Sequence, residues 1–207
     1  MLARGDARAL RLEPDHGPFA AAADASSESL AALVELIPTD GHLWVVETKE
    51  LAPPSGAAVV RTAVLHQMVA TAVEPASPAF EIVPLSDDDA PEMRALATLT
   101  EPGPFHISTH RLGRFVGVKE NGDLVAMAGE RMKPGRFTEI SGVCTHPTHR
   151  GRGYANALMR TVAQHILARG ETPFLHVMAS NAGAIALYET LGFRFRREMV
   201  MTVLART

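Results

Sequence analysis

The sequence predicts an α/β (α+β) fold, and three observations point to it. From residue 79 onward, apolar runs of period two alternate with runs of helical spacing, in the order strand, helix, strands, helix, strand, helix, strands. An Asn121-Gly122 step lies between two apolar runs and marks a hairpin, because both residues tolerate positive φ. Within residues 143–155 a strand ends, a short loop turns and a helix begins.

Residues 1–77 form a smaller N-terminal part. In it Ser29–Ile37 reads as a short helix, with Leu30, Leu33, Val34 and Ile37 at helical spacing. Leu43–Glu47 reads as a strand and Lys49–Gly56 as a loop around Pro53-Pro54, while Ala57–Val73 is an apolar run open to strand or helix. Glu74-Pro75-Ala76-Ser77-Pro78 is a linker by composition and sets the second part at 78–207. There Phe80–Leu85 reads as a strand, and Ser86-Asp87-Asp88-Asp89 with Pro91 starts a helix that runs to Thr100. Phe115–Lys119 and Leu124–Met132 are the hairpin strands, and Phe137 to about His146 is a further strand. A helix is expected over Gly153–Ala168, with an apolar stripe of Ala155, Leu158, Met159, Val162 and Ile166 and a stop at Gly170. Pro173–Met178 reads as a strand, Asn181–Leu191 as a helix stopped by Gly192, and Phe193–Arg197 with Met199–Leu204 as two paired strands.

Composition narrows the function. Of 207 residues, 46% are hydrophobic and 21% charged, an ordinary globular balance in a chain long enough to bury a core. The formal net charge of -3 argues against a nucleic-acid binder held by phosphate contacts and against a polybasic membrane-surface protein. The single cysteine, Cys144, leaves no intramolecular disulfide and no cysteine-based zinc ribbon. Apolar runs such as Phe19–Ala23 fall far short of the roughly 20 residues of a membrane span, and the N-terminus lacks a basic-then-apolar secretory pattern. A soluble cytoplasmic protein is expected.

The chemistry concentrates in Val143-Cys144-Thr145-His146-Pro147-Thr148-His149-Arg150-Gly151-Arg152-Gly153-Tyr154-Ala155. The first N–H groups of a helix lack intrahelical partners, and the helix dipole adds partial positive charge at that end. Gly151 and Gly153 let a bulky anion approach the backbone, and Arg150 and Arg152 add two permanent cations. Together they make a phosphate cradle. A Walker A loop is absent, and the dinucleotide pattern fails because Asn156 stands where its third glycine or alanine should be.

The match is instead Arg150-x-x-Gly153-x-Ala155 after an extended strand. This resembles the pyrophosphate-binding signature of the GCN5-related N-acetyltransferase (GNAT) superfamily. With Gly142-Val143-Cys144-Thr145-His146-Pro147 it looks most like the FR47-like branch, a relative of the glycine N-acyltransferases. Asn181-x-x-Ala184-x-x-x-Tyr188-x-x-x-Gly192-Phe193 resembles the late helix of the same superfamily, with Asn181, Ala184 and Tyr188 on one helix face. The resemblance covers roughly residues 79–207. It implies a mixed, mostly antiparallel central sheet flanked by helices, with the N-terminal segment packed beside it as a degenerate half-copy.

The resemblance also implies acetyl-coenzyme A as cosubstrate, with no metal. Val143, Cys144 and Thr145 would supply backbone groups to the pantetheine and the oxyanion, Arg150 to Ala155 would hold the pyrophosphate, and Asn181 and Ala184 would lie along pantetheine. Tyr188 would protonate the leaving thiolate. Glu139, eleven residues before Arg150, resembles the base glutamate of related acetyltransferases; Glu130 competes for that role. Alternation places Glu139, Ser141, Val143 and Thr145 on one face, and burial is expected to raise the pKa of either glutamate. The acceptor implied is a small-molecule amine or amino acid, a peptide N-terminus or a lysine, and a homo-oligomer stays open.

Duller readings stand beside these. The glycines could serve only a tight turn, Arg150 and Arg152 only a solvated surface, Tyr188 only packing, Asn181 only an N-cap, and Glu139 a sheet carboxylate paired to an arginine. Cys144 reads as inert filler rather than a nucleophile, and His146-x-x-His149 lacks companions for a metal. His106, His110 and His176 are further candidates to border an acceptor pocket, with no motif behind them. Two other functions compete with acyl transfer to an amine: a catalytically silent acyl-CoA sensor, and a nucleotide-binding protein of another class.

Overall fold

The computed structural model describes residues 2–207. Near the N-terminus β1 (Ala3–Gly5), β2 (Ala9–Leu12) and β3 (Ala20–Ala22) form a small antiparallel sheet. Helix α1 (Ser27–Glu35) follows, begun by the Ser26 hydroxyl, which accepts from the Ser29 N–H. The apolar spacing placed this helix two residues late, because its first turn is polar and is set by the cap.

The remaining strands are β4 (His42–Glu47), β5 (Ala57–Val69), β6 (Val83–Leu85), β7 (Phe115–Glu120), β8 (Asp123–Glu130), β9 (Phe137–Thr145), β10 (Thr172–Met178) and β11 (Arg194–Arg206). They form one eight-stranded sheet in the order β4-β11-β5-β10-β9-β8-β7-β6. Every neighbouring pair is antiparallel except β9 and β10. The helices are α2 (Ala90–Thr100), α3 (Tyr154–Ala168) and α4 (Ala182–Thr190). Asn121 and Gly122 turn the β7–β8 hairpin with φ of 54° and 94°, as the dipeptide requires.

Two apolar layers cover the central strands. Leu158, Met159, Val162 and Ile166 of α3 pack with Val116, Ala126, Ile140 and Leu175 of the sheet. Met93, Leu96 and Ala97 of α2 pack with Phe115, Met127 and Cys144 in a separate cluster. Burial of a side chain of that size contributes about 1.5–3 kcal/mol, so these layers dominate the favourable side of folding. A third cluster joins Leu33 of α1 to Leu43, Val45 and Leu204.

Several expectations need correction. The open run 57–73 is a strand as far as Val69. The two C-terminal strands are one, β11, with a register irregularity between Phe195 and Arg197. The break expected at Glu198 does not occur, because β5 is long enough to pair on both sides of it. Phe80–Leu85 contributes only Val83–Leu85, the part that pairs with β7. The strands of residues 3–22 carry no periodicity that marks them in the sequence.

The line at 77/78 falls in the coil between β5 and β6. From its N-terminal side, β5 lies between β10 and β11, and β4 extends the sheet beyond β11. A fragment of residues 78–207 would therefore lose both pairing partners of β11 and one flank of β10. It is expected to show no cooperative thermal transition by circular dichroism, whereas the full chain does.

Candidate active site

Parallel pairing of β9 with β10 runs from Phe137↔Thr172 to Glu139↔Phe174 and then stops. Beyond it, β9 follows β8 as far as Thr145↔Ala126, while β10 follows β5 as far as Met178↔Leu65. The two strands thus splay, and a cavity of about 1200 Å³ opens into the wedge. Glu139 and Val143 of β9, His176 of β10, and Asn181, Ala184 and Tyr188 at α4 all border it.

A bulge alters β9 inside this wedge. The register shifts opposite Ala128, and Gly142 has φ +63°, a left-handed value that favours glycine. The expected alternation of Glu139, Ser141, Val143 and Thr145 on one face fails here. Val143 packs with the α3-side cluster that holds Ile140, while Cys144 packs with the α2-side cluster. The Cys144 side chain is therefore buried, and burial pushes its thiol up to about 11. It can offer the wedge its backbone but not a thiolate.

In the loop that follows β9, Gly151 and Gly153 have φ of +79° and +81°, which turns the chain sharply into α3. The first bond from α3 back to the loop is Ala157 N–H to the Gly153 carbonyl, at 3.1 Å. The N–H groups from Gly151 to Asn156 have no acceptor among the described residues, so they are free for an anion. The two arginines differ. Arg152 Nη1 donates to both Glu120 oxygens, at 3.0 and 3.1 Å, and the Tyr154 hydroxyl donates to Glu120 as well. Tyr154 and Arg152 hold the Glu120 carboxyl below the usual range. Arg150 is exposed and meets only the Thr145 carbonyl, at 3.4 Å, leaving its charge without a carboxylate among the described residues. Thr145 is otherwise notable for a buried Oγ1 that has no partner among the described residues.

On α4 the Asn181 side chain accepts from the Ala184 N–H at 3.1 Å and so caps the helix. Tyr188 packs against Phe193, and burial raises its pKa, so its hydroxyl keeps its proton at neutral pH.

Part of the cavity wall is a charged chain of side chains. Arg131 Nε and Nη2 donate to Glu139 Oε2 and Oε1, at 2.8 and 2.9 Å, and His176 Nδ1 lies 2.9 Å from Oε1. The Arg131 guanidinium lies over the Phe19 ring, 4.4 Å from its centroid. Burial alone would push Glu139 up, as the sequence suggested, but Arg131 and His176 outweigh it and hold the carboxyl down at about 2. Glu130 does not border the cavity. It pairs with Arg169 at 2.9 Å, and Lys133 Nζ approaches its other oxygen to 2.9 Å without hydrogen-bond geometry. His106 and His110 are also elsewhere, bound to the Pro14 carbonyl and to Asp87.

Sequence reasoning missed Arg131, Gln67, Arg196 and Glu120. Arg131 answers the reading of Glu139 as a carboxylate paired to an arginine, yet no local pattern selects it from the other arginines.

Comparison with known proteins adds an independent line. Residues 115–202 match the family model described as FR47-like protein. A GNAT-family crystal structure from Novosphingobium aromaticivorans DSM 12444 is 47% identical, with a TM-score of 0.93, over 100% of this chain and 92% of that one. The N-alpha-acetyltransferase RimI of Mycobacterium tuberculosis is 33% identical over 84 residues, 39% of this chain and 51% of that protein. The [ribosomal protein bS18]-alanine N-acetyltransferase of Escherichia coli K12 is 36% identical over 75 residues, 36% of this chain and 50% of that protein. The chain thus spans about half the length of these curated relatives.

Two outcomes follow from this geometry. Cys144 should not react with Ellman's reagent at pH 8 in the native protein and should titrate fully after denaturation. The Glu139 pairing, worth on the order of 3 kcal/mol between its ordinary value of 4.5 and about 2, is fully present above the former and lost as pH falls through the latter. Glu139→Gln should lower Tm at pH 7, and the gap to the parent protein should narrow on acidification; a gap constant down to about pH 2 would contradict it.

Proposed function

Because the chain belongs to the GNAT family, we propose that it is an N-acetyltransferase, moving an acetyl or other short acyl group from acetyl-coenzyme A to a primary amine. The observation that carries this reading is the wedge between β9 and β10, lined by titratable groups and followed along β9 by a loop whose N–H groups and Arg150 have no acceptor or carboxylate partner among the described residues. The pyrophosphate would take the N–H groups of residues 151–156 and the Arg150 guanidinium. Pantetheine would lie in the wedge between the unpaired edge of β9, at Val143–Thr145, and Asn181 and Ala184. That edge would also donate to the oxyanion of the tetrahedral intermediate. The Tyr188 hydroxyl, kept protonated by burial, would give its proton to the leaving thiolate. Glu139 belongs to the amine side of the reaction.

The acceptor enters beyond Glu139, where Phe19 and Trp44 from the N-terminal residues border the cavity with Phe105 and Met201. These apolar walls suit a small amine or the first residue of a peptide. Curated relatives named for acetylating a protein N-terminus support including alanine-first peptides among the acceptors.

A thermal-shift titration tests the donor. Acetyl-coenzyme A at about a hundredfold excess over Kd should stabilise the protein by about 2.7 kcal/mol, with no shift from ATP or NAD. Arg150→Ala should weaken that binding more than Arg152→Ala, whose guanidinium already has a partner. Thiol release with a panel of primary amines then tests transfer. Tight binding without release from any amine would support the silent sensor instead.

A further inference from the structure

We infer that His176 is the group that takes the proton from the attacking amine, and that Glu139 is a positioning residue behind it. The inference rests on the acyl-transfer reading and deepens it.

The side chains at the wedge form one hydrogen-bonded row, Arg131–Glu139–His176–Gln67–Arg196. Its links are Arg131 to Glu139 at 2.8 and 2.9 Å, His176 Nδ1 to Glu139 Oε1 at 2.9 Å, Gln67 Nε2 to His176 Nε2 at 3.1 Å, and Arg196 Nη1 to Gln67 Oε1 at 2.5 Å. Proton positions follow from the two ends. Arginine only donates, so the Gln67 oxygen must face Arg196 and its amide nitrogen must face His176. That nitrogen only donates, so His176 Nε2 must carry a lone pair. At the other end an ionised carboxylate only accepts, so His176 Nδ1 must carry the hydrogen. Both ends demand the same neutral tautomer. A protonated ring would set an N–H against the Gln67 N–H.

Accessibility separates the two candidate bases. The Glu139 side chain is 2% exposed, and Arg131 and His176 occupy both its oxygens. The His176 side chain is 16% exposed and borders the cavity. A carboxylate behind an imidazole whose far nitrogen is a lone pair is the arrangement that makes a positioned general base. The Gln67 amide holds that lone pair until an amine replaces it. Phe174 meets the ring at 5.5 Å between centroids, and the other charged groups lining the same cavity are Arg61, Lys133 and Glu101.

In the step itself, a neutral amine nitrogen attacks the thioester carbonyl. The new C–N bond forms and the C–S bond breaks. One amine proton goes to His176 Nε2, and the thiolate takes the Tyr188 proton. Solvent then carries the His176 proton back to Tyr188, which leaves amide and free thiol with the enzyme unchanged.

The test uses the full-length chain with acetyl-coenzyme A and the fastest acceptor among alanine-first peptides, glycine and polyamines. His176→Gln should lower kcat/KM about 10²–10⁴-fold, remove the acid limb of its pH profile, and leave the acetyl-coenzyme A thermal shift unchanged. Glu139→Gln should lower kcat/KM without removing the acid limb and should mix the two imidazole tautomers of His176, because the introduced amide can donate to Nδ1 as well as accept from it. In ¹⁵N-histidine spectra, assigned by difference with His176→Gln, the parent His176 should be protonated at Nδ1 and bare at Nε2 at pH 7.5. Undiminished turnover by His176→Gln, or a proton on Nε2 at that pH, overturns the inference alone. Absence of thiol release from the parent protein with every acceptor overturns the acyl-transfer reading and this inference with it.

Discussion

Parallel pairing between β9 and β10 lasts only from Phe137↔Thr172 to Glu139↔Phe174, and the site depends on its ending there. A longer ladder would close the wedge and consume the backbone groups of Val143–Thr145. A shorter one would separate Glu139 from His176, which face each other just where the pairing ends. Each strand stays in the sheet through its other neighbour, β8 for one and β5 for the other. The splay therefore needs no unpaired strand, only two neighbours that diverge. That is why β5, supplied from before the 77/78 line, matters to a site whose motifs all lie after it.

Charge is handled with similar economy. A buried carboxylate without partners would be protonated or would cost several kcal/mol. Glu139 has a guanidinium on one side and an imidazole N–H on the other. The guanidinium is in turn held by the Phe19 ring of the N-terminal residues. Phe19 is itself tied to the main sheet by its bridge to Trp44. The N-terminal segment thus contributes a wall to the cavity and also fixes the charge nearest the proposed base. In the loop that follows β9 the logic reverses. Glu120 neutralises Arg152 and anchors Tyr154, so the loop is held in shape while Arg150 has no carboxylate partner among the described residues.

Much of this was legible in the residues. The Asn121-Gly122 hairpin, α3 with its glycine-rich entry, and α4 with Asn181 as its cap all rest on local chemistry: positive φ, orphan N–H groups and apolar spacing. The family resemblance rested on the same segments. By itself the sequence determined these elements, the glycine-rich turn into α3 and the family, because each is encoded within a dozen neighbouring residues.

Only the tertiary structure decided which side chains meet. Gln67 and His176 are 109 positions apart, and Arg196 and Gln67 are 129 apart. Each looks locally like an unremarkable strand residue. The Gly142 bulge inverted the parity that assigned faces along β9, and one added residue is enough to do so because the side-chain period is two. The Glu139 carboxyl is held down rather than up because its partners, Arg131 just past β8 and His176 on β10, are brought to it by the fold and outweigh burial. Local propensity specifies a segment's own dihedrals, but the charge a buried group carries is fixed by whatever the fold packs against it.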